Sequence, residues 1–397
     1  MKACAAGALA LAVPDLLPAA ESVPPLMSAA AAGRDQPYYL GADISWLLED
    51  EAQGATYWDR GVRKDLLAIL KSYRFNSIRA RLFVNPSAPG GYSRGGFCDL
   101  EHTKKLATRI RAAGMNFLLD FHYADTWTSP GHQSKPAAWA SYNFDQLVNA
   151  VHDWTKTVLE ALQANDSPPQ MVQIGNETTD GILFPDGRMS DFDKFAELVN
   201  AGCKAAREVD PKIRVAVHNS LGREDLTMRT WVDGFLQRKT DFDIIGMSCY
   251  AEAEPGQLQA TFNDLAVRYP HLSLMALEYS HKKRYVNDAM FNAPNGRGQG
   301  TFIWEPTRWR EAIFDKGGVN AGDDDNNKPH LPASALPPDP SAVQEPAAAL
   351  PPPPPPPTPP PTTMPGRRRR FNRGGRYDTN SYILLYPEMA KAYGLVS

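Results

Sequence analysis

From residue 38 onward the chain alternates short apolar runs with longer amphipathic stretches, and the alternation is repeated eight times. The apolar runs fall at 39–44, 77–83, 116–121, 171–174, 213–217, 244–247, 272–277 and 300–304. Each has the length and composition of a buried strand. Between them, residues 62–73 place Val62, Leu66, Ile69, Leu70 and Tyr73 on a 3.6-residue rhythm, which predicts a helix with one buried face. Residues 100–113, 144–162, 192–209, 226–235 and 258–269 read the same way, with Asp99, Asn143 and Asp191 placed as N-caps. A last helix is expected at 382–393. Strands alternating with helices make a parallel sheet covered by helices, and eight such units close into an α/β (β/α)8 TIM barrel. The rival, a doubly wound open sheet, wants a glycine-rich phosphate loop after the first strand. Gly41-Ala42-Asp43-Ile44 is not one.

Two segments stand outside this pattern. Residues 1–35 are alanine-rich, and Lys2 followed by an apolar stretch from Ala3 to Val13 resembles a secretory signal. The expectation is an exported protein; a disordered leader is the alternative. Much of the excess among the 35 prolines sits late in the chain, with an unbroken run from Pro351 to Pro357. Such sequence favours polyproline II and buries no core. Residues 319–366 are therefore expected to be a disordered, proline-rich insertion before the last helix. The barrel then occupies 36–318, and 367–397 carry a basic segment and the final helix. The cluster Arg367-Arg368-Arg369-Arg370 could bind an anionic polymer or nucleic acid; the plainer reading is a solvated loop edge. A formal net charge of −3 gives no support for a general nucleic-acid or membrane-surface protein. No apolar run reaches the ~18 residues of a membrane span. The four cysteines form no C-x-x-C pair, and no disulfide is expected.

The chemistry is concentrated where strands end, which in a (β/α)8 barrel is where active sites lie. Two apolar runs finish on a glutamate: Met171-Val172-Gln173-Ile174-Gly175-Asn176-Glu177 and Leu272-Ser273-Leu274-Met275-Ala276-Leu277-Glu278. A carboxylate at the end of a buried strand is costly unless paired or used. Taken singly, Glu177 could be a helix-start acid and Glu278 a salt-bridge partner. At the ends of the fourth and seventh strands of one barrel they could sit about 5–5.5 Å apart and flank a glycosidic bond, one as acid and one as nucleophile.

On the second strand, Arg79 and Arg81 share a face by the period of two and need acid partners inside a barrel. An arginine near Glu278 would hold it ionised. His122 could bond a carboxylate or a sugar hydroxyl. Neither His122 nor His218 has a metal-ligand spacing to another histidine, so zinc is disfavoured and no metal-ligating residue is named. Trp46, Trp127, Tyr250 and Trp304 gather at strand ends, where flat rings suit sugar rings.

These segments together resemble the arabinogalactan endo-β-1,4-galactanases, glycoside hydrolase family 53. The matching runs are Gly41-Ala42-Asp43-Ile44-Ser45, Ile78-Arg79-Ala80-Arg81-Leu82, Gly114-Met115 through Leu119-Asp120-Phe121-His122-Tyr123-Ala124-Asp125, Met171 through Glu177, Phe242-Asp243-Ile244-Ile245-Gly246 and Phe302-Ile303-Trp304-Glu305-Pro306. The resemblance implies a (β/α)8 barrel, a retaining mechanism, and the β-1,4-galactan side chains of pectin as substrate. It implies Glu177 as acid/base, Glu278 as nucleophile and Asn176 as ligand of the sugar 2-hydroxyl. Asp43, Arg79, His122, Asp125, Trp127, Asn176, His218, Tyr250 and Trp304 form the expected substrate-binding set. No cofactor, nucleic acid or membrane partner is expected, and the protein is expected to be a monomer. Cys249 stands where the family commonly shows a second aromatic, Ser280-His281-Lys282-Lys283-Arg284 after Glu278 is unusual, and the proline-rich insertion is foreign to the family's catalytic domain. Another retaining barrel glycosidase, a β-mannanase or endoglucanase, shares the same glutamate logic, and a non-catalytic galactan-binding barrel shares the fold.

Overall fold

The eight apolar runs pair into one closed, all-parallel barrel in this computed structural model, which describes residues 37–222, 225–250, 256–308, 312–317 and 374–395. In chain order the barrel strands are Tyr39–Asp43, Ser77–Leu82, Asn116–Phe121, Met171–Ile174, Arg214–Asn219, Ile244–Ser248, Ser273–Tyr279 and Gly298–Trp304. Each pairs with its neighbours in sequence, and the first closes on the eighth with Asp43 opposite Trp304. The expected leader and the proline-rich insertion lie outside the described residues.

Alternation along the strands divides the barrel into an outer shell and an interior with two levels. Outward side chains such as Leu40, Ile78, Leu119, Val172 and Val217 join the helices in one continuous core. Inside, Tyr39, Leu118, Met171, Ala216, Ile244, Met275, Leu277 and Phe302 fill the lower level. Above them the inward positions turn polar: Arg79, Asp120, Gln173 and His218, all buried. Gly41 is needed for this filling, because a Cβ there would fall 2.2 Å from the ring of Phe302.

The helices cap as their sequences predict. Asp99 accepts from the His102 N–H and Asp191 from the Lys194 N–H. Asn143 and Gln146 form a reciprocal capping box.

Four features differ from the sequence reading. Residues 62–64 are a strand, not the start of a helix: Val62–Lys64 pairs antiparallel with Ala55–Asp59 across Arg60 and Gly61, both at positive φ (51° and 79°). That is the type I′ geometry of a two-residue hairpin. The helix begins only at Leu66, capped by Asp65. The chain returns at Gly375–Thr379 as a strand between Phe314–Gly317 and Ala55–Asp59, so the terminal region adds a four-stranded sheet as well as a helix. Helix Lys283–Phe291 fills the gap left between the seventh and eighth strands. The last helix starts as a 3-10 turn, Ser381–Leu384, before Leu385–Ala392. It packs on the outside of the barrel: Tyr393 stacks on Phe291 with centroids 4.1 Å apart, and the Tyr386 and Tyr279 hydroxyls meet at 2.7 Å.

Candidate active site

At the C-terminal mouth of the barrel one guanidinium binds five side chains. Arg79, on the second strand and 1% exposed, donates through Nε to Gln173 (3.0 Å) and through Nη1 to Asp43 (2.7 Å). Its Nη2 donates to Asp120 and to the Asn176 side-chain oxygen, both at 2.9 Å, and Nη1 lies 3.0 Å from Glu278 Oε1. Five barrel strands or their ends are tied by this one side chain. The carboxylates make its burial tolerable, and it makes theirs tolerable. Arg79→Ala is expected to cost about 3–5 kcal/mol of folding stability, the usual range for breaking a buried ion pair. Arg79→Lys should recover little, since a single ammonium cannot reproduce the planar fork. Urea denaturation measures both, and an unchanged midpoint for Arg79→Ala would refute the hub.

Glu278 reaches the mouth through a break in register. Ser248 pairs with Glu278 where Met247 pairs with Ala276, so Leu277 is skipped. Strict alternation would send Glu278 outward with Ala276. The bulge turns it in beside Arg79, a common use of bulges next to active sites. Tyr250 donates to its other oxygen at 2.8 Å.

Glu177 arrives by a different device. The fourth strand stops at Ile174, Gly175 takes φ 82°, and Glu177 itself sits at φ 47°. That left-handed conformation is uncommon for a non-glycine residue and is held from outside. The Glu177 N–H points to His218 Nδ1 at 3.3 Å, and Gln133 Nε2 donates to its carbonyl at 3.3 Å. The carboxyl is thereby set to receive the Ser248 hydroxyl, 2.6 Å away.

Burial acts on both carboxyls, but their compensation differs. Glu177 is pushed up to about 7, first by desolvation and then by the negative charge of Glu278, against the single hydroxyl of Ser248 and more distant Arg79. Burial also raises Glu278, and there Arg79 and the Tyr250 hydroxyl pull directly the other way. With the better donors on Glu278, the pair keeps its proton on Glu177 and its charge on Glu278. Below, burial would raise Asp120, yet Arg79 and His122 outweigh it and hold the carboxyl below its ordinary value.

The other expected site residues divide by position. Trp127 and Tyr250 are each 37% exposed, and Trp304 is half-buried. Trp127 and Trp304 each meet Trp46 with centroids 6.0 Å apart, and Tyr250 stands 6.1 Å from Trp304, so the four rings form one wall of the opening. Asp43, His122 and His218 are fully buried. Asp43 accepts from Ser45 and Arg79, and His122 spans Asp120 and Thr128. Both oxygens of Asp125 are taken by backbone N–H groups, of Asn85 and Ala137, which makes it a clasp between loops. Arg81 finds its acid in Glu305 at 2.9 Å and lies over the Trp127 ring.

Residues absent from the expected set are Gln173, Asp120, Ser248 and Glu305. Gln173 and Asp120 carried a signal: each is a polar residue at an inward position of an apolar strand. Ser248 carried none, because a serine at a strand end is commonplace. No group of three or more His, Cys, Asp or Glu side chains among the described residues is placed to hold a metal.

One carboxyl here has a proton to give at neutral pH and the other carries charge, which is the equipment for splitting a glycosidic bond. The chain is a glycoside hydrolase of the (β/α)8 class. Residues 39–288 match the model of glycosyl hydrolase family 53, and the chain belongs to that family. A probable arabinogalactan endo-beta-1,4-galactanase A of Aspergillus terreus is 36% identical over 243 residues, 58% of this chain and 68% of the relative. Among solved structures, the Ignisphaera aggregans GH53 catalytic domain superposes with a TM-score of 0.64 at 29% identity, covering 68% of this chain and 85% of that domain. A structure of fungal beta-1,4-galactanases gives 0.62 at 27% identity, covering 68% and 90%.

Proposed function

We propose that this protein is an endo-acting, retaining β-1,4-galactanase, with Glu177 as acid/base and Glu278 as nucleophile. The observation that carries the assignment is the asymmetry of donors: Arg79 and Tyr250 on Glu278, a lone hydroxyl on Glu177. Family 53 is a retaining family, the Aspergillus terreus relative is a probable arabinogalactan endo-beta-1,4-galactanase, and the fungal structures named above are beta-1,4-galactanases.

In the first step protonated Glu177 gives its proton to the glycosidic oxygen. A Glu278 oxygen bonds to the anomeric carbon as the bond to the leaving sugar breaks, leaving a glycosyl ester. In the second step Glu177 takes a proton from water, the water oxygen bonds to the anomeric carbon, and the ester breaks. Asn176 holds its carbonyl oxygen to Arg79 and spends one amide hydrogen on the Thr128 carbonyl, 2.9 Å away. The second amide hydrogen is available to the sugar 2-hydroxyl. The wall of Trp46, Trp127, Trp304 and Tyr250 suits the apolar faces of galactose rings.

The natural substrate in this reading is the galactan of pectin side chains, met outside the cell after export directed by the leader, by a monomer. Reducing-sugar release from potato galactan, mannan and cellulose tests the substrate. Release from galactan alone, at least about a hundredfold over the others, is the expected outcome; a factor of that size is about 2.7 kcal/mol of discrimination. Preference for mannan or cellulose would overturn the galactanase reading, and galactan binding without release would leave a binding barrel.

A further inference from the structure

His218 was expected to meet substrate, yet it is 0% exposed and surrounded by the chain's own groups. What it touches has a direction. Its Nδ1 faces the Glu177 backbone N–H at 3.3 Å and the Gln173 amide nitrogen at 3.1 Å. A backbone N–H can only donate, so a proton on Nδ1 would meet it head on; Nδ1 is an acceptor, and the ring proton is on Nε2. The Asn176 oxygen 3.1 Å from Nδ1 is already engaged by Arg79 Nη2. Complete burial, with Arg79 next in effect, keeps the imidazole neutral, well below its usual titration range.

His218 Nε2 lies 3.0 Å from Ser248 Oγ. Its N–H donates there, which leaves the one serine proton to go elsewhere. It goes to Glu177 Oε1 at 2.6 Å. Oε1 is therefore an acceptor whether Glu177 is protonated or ionised. Oε2 makes no hydrogen bond among the described residues.

We propose that His218 and Ser248 are positioning residues of a directed hydrogen-bond chain, His218 to Ser248 to Glu177, that keeps the transferable proton on Oε2 of Glu177. This rests on the reading of Glu177 as acid/base. The same oxygen then serves both steps: it gives the proton to the leaving sugar, and, with Ser248 still donating to Oε1, it takes the proton from water. The cost of the arrangement is a donor that favours the ionised carboxylate and so lowers the pH at which the acid form is lost. The other charged and titratable groups facing this chain are Glu278 on the seventh strand, Arg79 on the second, Asp120 and His122 on or after the third, and Tyr250 after the sixth. None of them is changed by substitution at Ser248.

The test compares pH profiles of kcat/KM for the parent, Ser248→Ala, Ser248→Thr and His218→Met. Two substrates are used: galactan, whose leaving sugar needs a proton, and a 2,4-dinitrophenyl β-galactobioside, whose leaving group does not. Ser248→Ala is expected to move the alkaline limb on galactan up by about half a pH unit or more, since the lost hydroxyl had stabilised the ionised form. Its loss of kcat/KM should be larger on galactan than on the aryl substrate. Ser248→Thr keeps a hydroxyl and should restore both; Ser248 borders a cavity of about 220 Å³ lined also by Leu221, Cys249 and Leu258, which has room for the methyl group. His218→Met should shift the limb the same way by less, with thermal denaturation reporting whether it folds. An alkaline limb unmoved in Ser248→Ala, or equal losses on both substrates, would overturn the relay. Glu177→Ala in the same assays separates the two levels: without selective loss on galactan and rescue by azide, the acid/base reading fails, whereas with them an unmoved Ser248→Ala limb removes the relay alone.

Discussion

Glu278→Ala is expected to lower kcat on β-1,4-galactan by about four to six orders of magnitude, the scale at which removal of a covalent nucleophile is felt. The expectation is specific to the nucleophile. A carboxylate that only stabilised charge nearby would leave more of the rate behind. Here the alanine removes the atom that must bond to the anomeric carbon, and it also strips Arg79 and Tyr250 of a common partner. The fold should survive, because Arg79 keeps Asp43, Asp120, Gln173 and Asn176. Stereochemistry gives a second readout. With azide added, a nucleophile variant accepts the anion into the vacated face and yields an α-galactosyl azide from an activated β-galactoside. Retention of more than about 1% of parental kcat, with the fold intact, would be far above what loss of a nucleophile leaves. It would move the role to another residue.

Much of the barrel is written in its periodicities. Eight apolar runs and the caps at Asp99, Asn143 and Asp191 place strands and helices because burial and capping are local consequences of local residues. The hairpin at Arg60-Gly61 was hidden by an accident of spacing: Val62, Leu66 and Ile69 fit a helix, while two left-handed residues in a row decide for a turn. The four-stranded sheet was hidden for a different reason. Its strand Gly375–Thr379 is short, polar and far in sequence from its partners Ala55 to Trp58, and nothing in a single sequence reports such pairing. At the site, both glutamates stood out as charges ending apolar runs. That Glu278 faces inward did not follow from its strand, since alternation points the other way; the bulge opposite Ser248 settles it. His218 and Asp43 were recognisable as polar residues on barrel strands. Their complete burial, which makes them supports of other side chains, is a property of the closed sheet and of no segment alone.

Glu177→Ala is expected to lose about two to four orders of magnitude on galactan, the usual contribution of a general acid/base. The loss should depend on the leaving group. Galactan departs as a sugar alkoxide and needs the proton. A dinitrophenolate does not, so formation of the glycosyl ester should stay fast and its hydrolysis become rate-limiting. Azide, a nucleophile that needs no base, should then raise kcat and give a β-galactosyl azide, opposite in configuration to the product from Glu278→Ala. The pH profile carries the same assignment. Desolvation first, and the charge of Glu278 second, place Glu177 at about 7. It is protonated below that pH and ionised above it, so the parent's kcat/KM on galactan should fall as pH rises through about 7. Alanine has nothing to titrate, and the alkaline limb should vanish with it. Once Glu278 is tied up as an ester its charge is gone, and the second influence holding Glu177 protonated is gone with it; its pKa falls as its task changes from acid to base. A parent profile flat from pH 5 to pH 9, or a Glu177→Ala enzyme that keeps the alkaline limb, would mean that the proton on the leaving sugar comes from another group.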